Sequence, residues 1–227
     1  MGDSGDFIFA RRPDGILEFK GDFEGLYQSD PDPWGQSGGD PRMKEYYAFS
    51  RSNLVCALDD FLEYEWSSLL EVGCGMGHVT NFLREMFPIA RIEGMDISAT
   101  AIAHATAAFP CIPFHVANIG TPGVGDGFHR QFDVVVLSQS LWYVLHLLGN
   151  TFGNVMKMLK PHGVFVVQMA FLDNQEYGRE IVDGFNGLLH YVLDRYGAAF
   201  QVVSASYDAS GRFAPYHDGL LVLQSTR

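Results

Sequence analysis

The spacing of apolar positions changes character near residue 67. Before that point one stretch carries helical spacing: Tyr46, Tyr47, Leu54, Leu58 and Leu62 fall on one side of a helix over residues 41–64. The residues ahead of it, 1–40, are rich in Gly, Asp, Pro and aromatics and show no periodic element. After residue 67, short apolar runs alternate with amphipathic stretches. Residues 68–72 read as a strand, and Val79, Phe82, Leu83 and Met86 then repeat at i, i+3, i+4 and i+7, a helix that Pro88 ends. Residues 91–95 form a second strand, 99–108 an Ala-rich helix and 113–117 a third strand, followed by a Gly-rich loop over 120–127. Phe132-Asp133-Val134-Val135-Val136-Leu137 is nearly continuous in apolar residues, as expected of a strand covered on both faces. A helix over 144–159 stops at the turn Lys160-Pro161-His162-Gly163. A fifth strand (164–170), a long helix (174–196) and two strands without a helix between them (200–207 and 219–224) close the chain.

This alternation predicts an α/β fold with a parallel sheet and right-handed crossovers, and the helix-free terminal pair predicts one antiparallel strand. At 227 residues the chain fits one structural domain, an N-terminal lid segment and helix (1–66) ahead of a core (67–227). Composition narrows the partners. Fifteen basic against 27 acidic residues give a net charge of −12 with no basic cluster, which argues against a phosphate backbone as partner. No apolar run is long enough to cross a bilayer, and residues 1–19 lack the apolar stretch of a secretory signal, so a cytoplasmic protein without membrane partners is expected. Cys56, Cys74 and Cys111 have no metal-ligand spacing and are odd in number; they read as reduced thiols, and no metal site is expected.

The chemistry concentrates after the first core strand. A strand ending in Glu71, then Gly73, Gly75 and Gly77, then a helix, describes a turn at the carboxyl edge of an open sheet, where ligands bind. Any tight turn can also need a glycine or two. Here the spacing is Gly-x-Gly-x-Gly, with His78 where a dinucleotide fingerprint has its third glycine. Asp96 follows Gly77 by 19 residues, at the end of the second strand, where a carboxylate can bind both hydroxyls of a ribose. Its other reading is an N-cap for the helix that begins near Ala99.

Four segments in order resemble class I S-adenosylmethionine-dependent methyltransferases: Leu70-Glu71-Val72-Gly73-Cys74-Gly75-Met76-Gly77, Gly94-Met95-Asp96-Ile97-Ser98, Phe132-Asp133-Val134-Val135-Val136-Leu137-Ser138 and Leu159-Lys160-Pro161-His162-Gly163. The resemblance covers about residues 67–225. It implies a doubly wound, Rossmann-like, seven-stranded mostly parallel sheet with its last strand antiparallel. It implies S-adenosyl-L-methionine as cofactor and S-adenosyl-L-homocysteine as product. By the same resemblance Glu71, Gly73, Cys74, Gly75 and Gly77 border the methionine part. Asp96, with Ile97 beside it, holds the ribose. Asn118, with Ile119, lies by the adenine, Asn118 replacing the more common Asp with an amide oxygen that can still accept from the amino group. Ser138 to Trp142 would face the sulfonium and the acceptor.

Asp32-Pro33-Trp34-Gly35 followed by Tyr46-Tyr47-x-x-x-Arg51 is similar to the nodulation-type N-methyltransferases of chitooligosaccharides and related sugar methyltransferases. That resemblance implies a lid in which Trp34 covers the cofactor and Arg51 pairs with its carboxylate. A small-molecule or saccharide acceptor is expected, with nitrogen or oxygen receiving the methyl group. No Asn-Pro-Pro-Tyr or Asp-Pro-Pro-Tyr follows the fourth strand. An amine acceptor needs only to be unprotonated, whereas a hydroxyl needs a base. The catalytic candidates are Tyr143, His146 and His217, each of which also has an ordinary structural reading; His78, Trp142, Phe213 and Tyr216 lie near the same edge. The alternatives are an NAD(P)-dependent Rossmann oxidoreductase and a non-catalytic S-adenosylmethionine-binding regulator.

Overall fold

The computed structural model describes residues 5–36, 41–62 and 67–227. In chain order it contains α1 (Gly5–Ile8), β1 (Phe9–Arg11), β2 (Leu17–Phe19), α2 (Phe23–Ser29), α3 (Pro41–Leu58), β3 (Ser68–Val72), α4 (His78–Met86), β4 (Arg91–Asp96), α5 (Ala99–Ala108) and β5 (Phe114–Val116). There follow β6 (Phe132–Ser138), α6 (Leu148–Met158), β7 (Leu159–Leu172), α7 (Gly184–Tyr196), β8 (Phe200–Tyr207) and β9 (Tyr216–Ser225). Seven strands form one sheet in the order β5-β4-β3-β6-β7-β9-β8. The first five run parallel, and β9 is antiparallel to both its neighbours. The expected α/β sheet with one reversed strand is present.

Strand alternation divides the core into two layers. Leu70, Val135, Leu137 and Phe165 pack with Phe152 of α6 and Leu188 and Val192 of α7. Their neighbours Leu69, Val134, Val136, Val164 and Val166 point the other way, onto Leu54 and Leu58 of α3 and Val79 and Leu83 of α4. The central strands are therefore apolar on both faces. In α3, Tyr46, Leu54 and Leu58 are buried as their spacing predicts, and Leu62 joins them from the turn beyond. Among the described residues, no helix is long and apolar enough to cross a membrane.

Four boundaries differ from the sequence expectations. The helix expected to reach residue 64 ends at Leu58 in a short 3-10 turn, and residues 63 and 64 lie outside the described residues. The helix expected from 144 begins as a 3-10 turn over Leu145–Leu147 and becomes α only at Leu148. The turn at 160–163 is a bulge inside one long strand: pairing moves from Phe132↔Leu159 to Val134↔Val164, and His162 takes up the slack at φ 60°. The helix expected from 174 starts at Gly184. Ahead of it the Gln175 side chain satisfies the backbone of a loop, donating to the carbonyls of Tyr177 and Val182 and accepting from Gly184 N. The β1–β2 hairpin and α2 were not anticipated.

Candidate functional site

At the carboxyl edge of β3 the backbone turns sharply and is tied to β4, Gly73 N and Cys74 N both donating to Met95 O at 2.7 and 3.0 Å. Gly75 sits at φ 52°, and a Cβ there would strike the Tyr27 hydroxyl. Gly77 sits at φ 77°, and a Cβ there would lie 2.7 Å from Phe114 Cζ. Only glycine satisfies both constraints at either position. Gly75 N donates to Asp96 Oδ2 at 2.8 Å and Ser98 N to Asp96 Oδ1 at 2.9 Å. Ser98, rather than Asp96, caps α5, its Oγ accepting from Ala101 N. Asp96 is thus held by backbone N–H groups with lone pairs to spare. Burial raises its pKa, and those N–H bonds oppose the shift.

A cavity of about 790 Å³ lies over this edge. Glu71, Gly73, Gly75, Asp96, Ile97, Asn118, Ile119, Ser138, Trp34, Arg51 and Tyr143, eleven of the residues singled out in the sequence, line it together. Four others do not. Cys74 is buried with its Sγ toward Gly94, and Gly77 packs on Phe114. His146 is exposed, its ring 5.6 Å from that of Tyr177. His217 is turned away by strand alternation: its neighbour Tyr216, paired with Leu172, faces the cavity. The His217 ring instead meets Asp173 Oδ1 at 2.9 Å and the Asp208 carbonyl at 3.1 Å. His78 lies in a separate, much smaller pocket beside Tyr27 and Trp34, and burial lowers its pKa.

Two charged side chains face each other across the methionine end of the expected site. Arg51 passes between the rings of Tyr47 and Phe82, 5.7 and 5.8 Å from their centroids. Its Nε and Nη2 are buried and have no hydrogen-bond partner among the described residues. Burial lowers its pKa while the charge of Glu71 pulls it back. Burial likewise pushes Glu71 up to about 7, against a hydrogen bond from Thr80 and the charge of Arg51. An unpaired buried guanidinium is costly, and a carboxylate is its natural complement. Farther along the edge, Asn118 Oδ1 accepts from Gly120 N at 2.8 Å and keeps a second lone pair.

The N-terminal segment supplies residues that sequence reasoning missed. Phe9, Phe19, Phe23 and Tyr27 all line the cavity. Trp34 Nε1 donates to Tyr27 Oη at 3.0 Å, and Tyr47 Oη donates to Trp34 O at 2.9 Å. Glu24 fastens α2 to the start of α5, accepting from Thr100 Oγ1 at 2.5 Å, Ser98 Oγ at 2.7 Å and Thr100 N at 3.2 Å. These bonds hold the Glu24 carboxyl down at about 2. The signal in the sequence was Phe9 and Ala10-Arg11 set against Leu17-Glu18-Phe19 around Gly15, a hairpin with strands too short for period counting. Behind the cavity, the buried Asp218 carboxylate accepts from Tyr46, Ser50, Asn53 and Gln168, fixing α3 against β7 and β9.

A seven-stranded sheet with a single reversed strand, a glycine turn after β3 and an acid at the end of β4 constitute the Rossmann-like methyltransferase fold. The family described as Methyltransferase domain matches residues 70–165. Trans-aconitate 2-methyltransferase of Acidovorax sp. (strain JS42) is 34% identical over 103 residues, 44% of this chain and 37% of that protein. The chain therefore spans well under half the length of such curated relatives. The CurJ carbon methyltransferase structure superposes with a TM-score of 0.67 at 16% identity, covering 92% of this chain and 63% of that one. The N-methyltransferase NodS of Bradyrhizobium japonicum WM9 superposes with a TM-score of 0.60 at 19% identity, covering 83% and 99%. At such identities both structures speak for the fold alone, and the nodulation-type resemblance is a distant structural likeness.

Proposed function

We propose that this chain transfers a methyl group from S-adenosylmethionine to a small-molecule acceptor held in the cavity above β3, β4 and β6. The observation that carries the reading is the half-buried Arg51, whose buried Nε and Nη2 have no hydrogen-bond partner among the described residues, set in the same cavity as the Gly73–Gly75 turn and the Asp96 carboxylate. These residues match the cofactor part by part. Arg51 offers a cation to its carboxylate, and the side-chain-free turn allows close approach of the backbone. Asp96 accepts from the ribose hydroxyls, while Ile97 gives an apolar face and Asn118 a polar edge to the base. When bound, the cofactor supplies a methyl group on a cationic sulfur. The protein's own part is to align that group with an acceptor and to exclude water. Trp34, hydrogen-bonded to Tyr27 and packed 5.6 Å from the Tyr143 ring, stands where a cover is needed.

In this reading residues 1–66 are a lid on the core formed by 67–227, and the enzyme works in the cytoplasm. A saccharide was the narrower expectation for the acceptor. Its support is the 32–35 and 46–51 resemblance together with the NodS likeness, whereas the names of the other relatives carry trans-aconitate and carbon as acceptors. Nothing in the comparisons favours an NAD(P) oxidoreductase or a non-catalytic binder. A filter-binding experiment with labelled S-adenosylmethionine tests the reading. Retained label should be displaced by S-adenosylhomocysteine and not by NADH, and Asp96→Ala should weaken retention by roughly 1–3 kcal/mol. Displacement by NADH, or full retention by Asp96→Ala, would remove the assignment.

A further inference from the structure

We infer that the acceptor is a neutral small molecule with an aromatic or conjugated face and an oxygen that takes a hydrogen bond from Tyr143. The inference rests on the methyltransferase reading and narrows it.

Charge is the first argument. The cavity lining holds two cations, Lys20 and Arg51, and three acids, Glu71, Asp96 and Glu176. Arg51, Glu71 and Asp96 belong to the cofactor end. Glu176 is paired with Arg11 at 2.7 Å, and Lys20 is itself engaged by the protein. Among the described residues no cluster of cations is left to hold an acceptor with several carboxylates, and a chain of net charge −12 repels such polyanions at a distance.

The second argument is the supply of hydrogen-bond donors. Away from the glycine turn the polar side chains of the floor are already committed to one another. Gln139 Nε2 donates to Tyr46 Oη and Ser50 Oγ, and Gln168 Nε2 to Ser50 O and the Asp218 carboxylate. Ser138 Oγ donates to Gln168 Oε1, and Trp142 Nε1 to Ala170 O. A saccharide's many hydroxyls would outnumber the uncommitted groups here, among them the buried Tyr177 hydroxyl, which has no hydrogen-bond partner among the described residues, and each hydroxyl left unpaired costs free energy.

The surrounding wall is built for something else. Phe9, Phe19, Phe23, Tyr143 and Tyr177 pack ring against ring, Phe19 lying nearly parallel to Tyr143 at 6.5 Å and Phe23 edge-on to it at 5.1 Å. Trp142 and Leu172 extend the same apolar surface. Tyr143 is the hub of this wall, and its hydroxyl has no hydrogen bond among the described residues. Burial raises its pKa, so at neutral pH it is a donor and not a base. No histidine lines the cavity among the described residues, so an acceptor atom that relies on a histidine base finds none.

The test uses the whole chain loaded with S-adenosylhomocysteine and three probes: ethyl benzoylacetate, which is neutral, aromatic and carbonyl-bearing, glucosamine, and trans-aconitate. Calorimetric titration should show ethyl benzoylacetate binding at least about tenfold more tightly than either other probe. Tyr143→Phe, which keeps the ring, should weaken that binding by about fivefold and leave the affinity for S-adenosylhomocysteine unchanged. Equal or tighter binding of glucosamine or trans-aconitate overturns the inference, as does failure of ethyl benzoylacetate to bind the loaded protein. Failure of S-adenosylhomocysteine itself to bind would instead remove the methyltransferase reading beneath it.

Discussion

The two ends of the cavity are made by different parts of the chain and held by different forces. The proposed cofactor end comes from the tips of three adjacent parallel strands, β3, β4 and β5, with Arg51 added from α3. Backbone bonds lock it, Met95 O to the glycine turn and Asp96 to Gly75 N and Ser98 N, over strands buried on both faces. The acceptor end is assembled from a short hairpin, α2 and the segments after β6 and β7. Phe9 meets Tyr177 there at 5.0 Å between ring centroids, across most of the sequence. Its polar fastenings are side chains: Glu24 on α5, and Arg11 on Glu176, a pair more than half exposed and worth little. On the proposed reading the contrast is a division of labour: the core holds the cofactor, and a separately attached segment selects the acceptor.

The strongest way to break the cofactor end is at Gly75. Valine there must adopt a left-handed backbone, costing roughly 1–2 kcal/mol for an L-residue, and its side chain strikes Tyr27. Affinity for S-adenosylhomocysteine should fall at least about 100-fold in calorimetry, with the far-ultraviolet dichroism of the sheet retained. Arg51→Met comes next and separates binding from stability. Losing charge-assisted hydrogen bonds should weaken S-adenosylhomocysteine by roughly 1.5–3 kcal/mol. The melting temperature of the ligand-free chain should not fall, because two buried N–H groups without hydrogen-bond partners among the described residues have been removed. A lowered ligand-free melting temperature would mark Arg51 as a structural residue.

Two pH effects of opposite sign distinguish the ends. Glu71 has a folded pKa of about 7, above its ordinary 4.5, because burial disfavours its charge. The folded chain then holds the extra proton, so stability should decline as pH rises from 4.5 towards 7. Glu71→Gln should flatten that decline in thermal melts. Glu24, on α2, is shifted the other way, from 4.5 to about 2, by hydrogen bonds from Thr100 and Ser98. Its contribution is present above pH 4.5 and lost as pH falls towards 2. Glu24→Gln should therefore loosen the cover slightly at neutral pH, seen as a small change in Trp34 fluorescence, and should remove its acid-induced change.

Sequence legibility follows the same division. The glycine turn, Asp96 and Asn118 could be placed at the cavity from sequence because each lies within a residue or two of a strand end. The acceptor end was not. Three-residue strands carry no period, and ring contacts such as Phe19 with Tyr177 depend on tertiary packing. His217 was expected at the cavity because it precedes a strand. The register that pairs Leu172 with Tyr216 puts the neighbouring residue there instead, and no single-sequence pattern fixes that register. Residues 174–183 look helical by apolar spacing, yet the Gln175 amide gives their backbone another set of partners.

The central claim, that one cavity holds S-adenosylmethionine at its glycine end, is tested most directly by titrating S-adenosylhomocysteine into the wild-type chain in a calorimeter, with NADH titrated in parallel. Saturable binding at one site per chain for S-adenosylhomocysteine, and none for NADH, is the predicted result. No heat of binding from S-adenosylhomocysteine, or equal affinity for NADH, would contradict it.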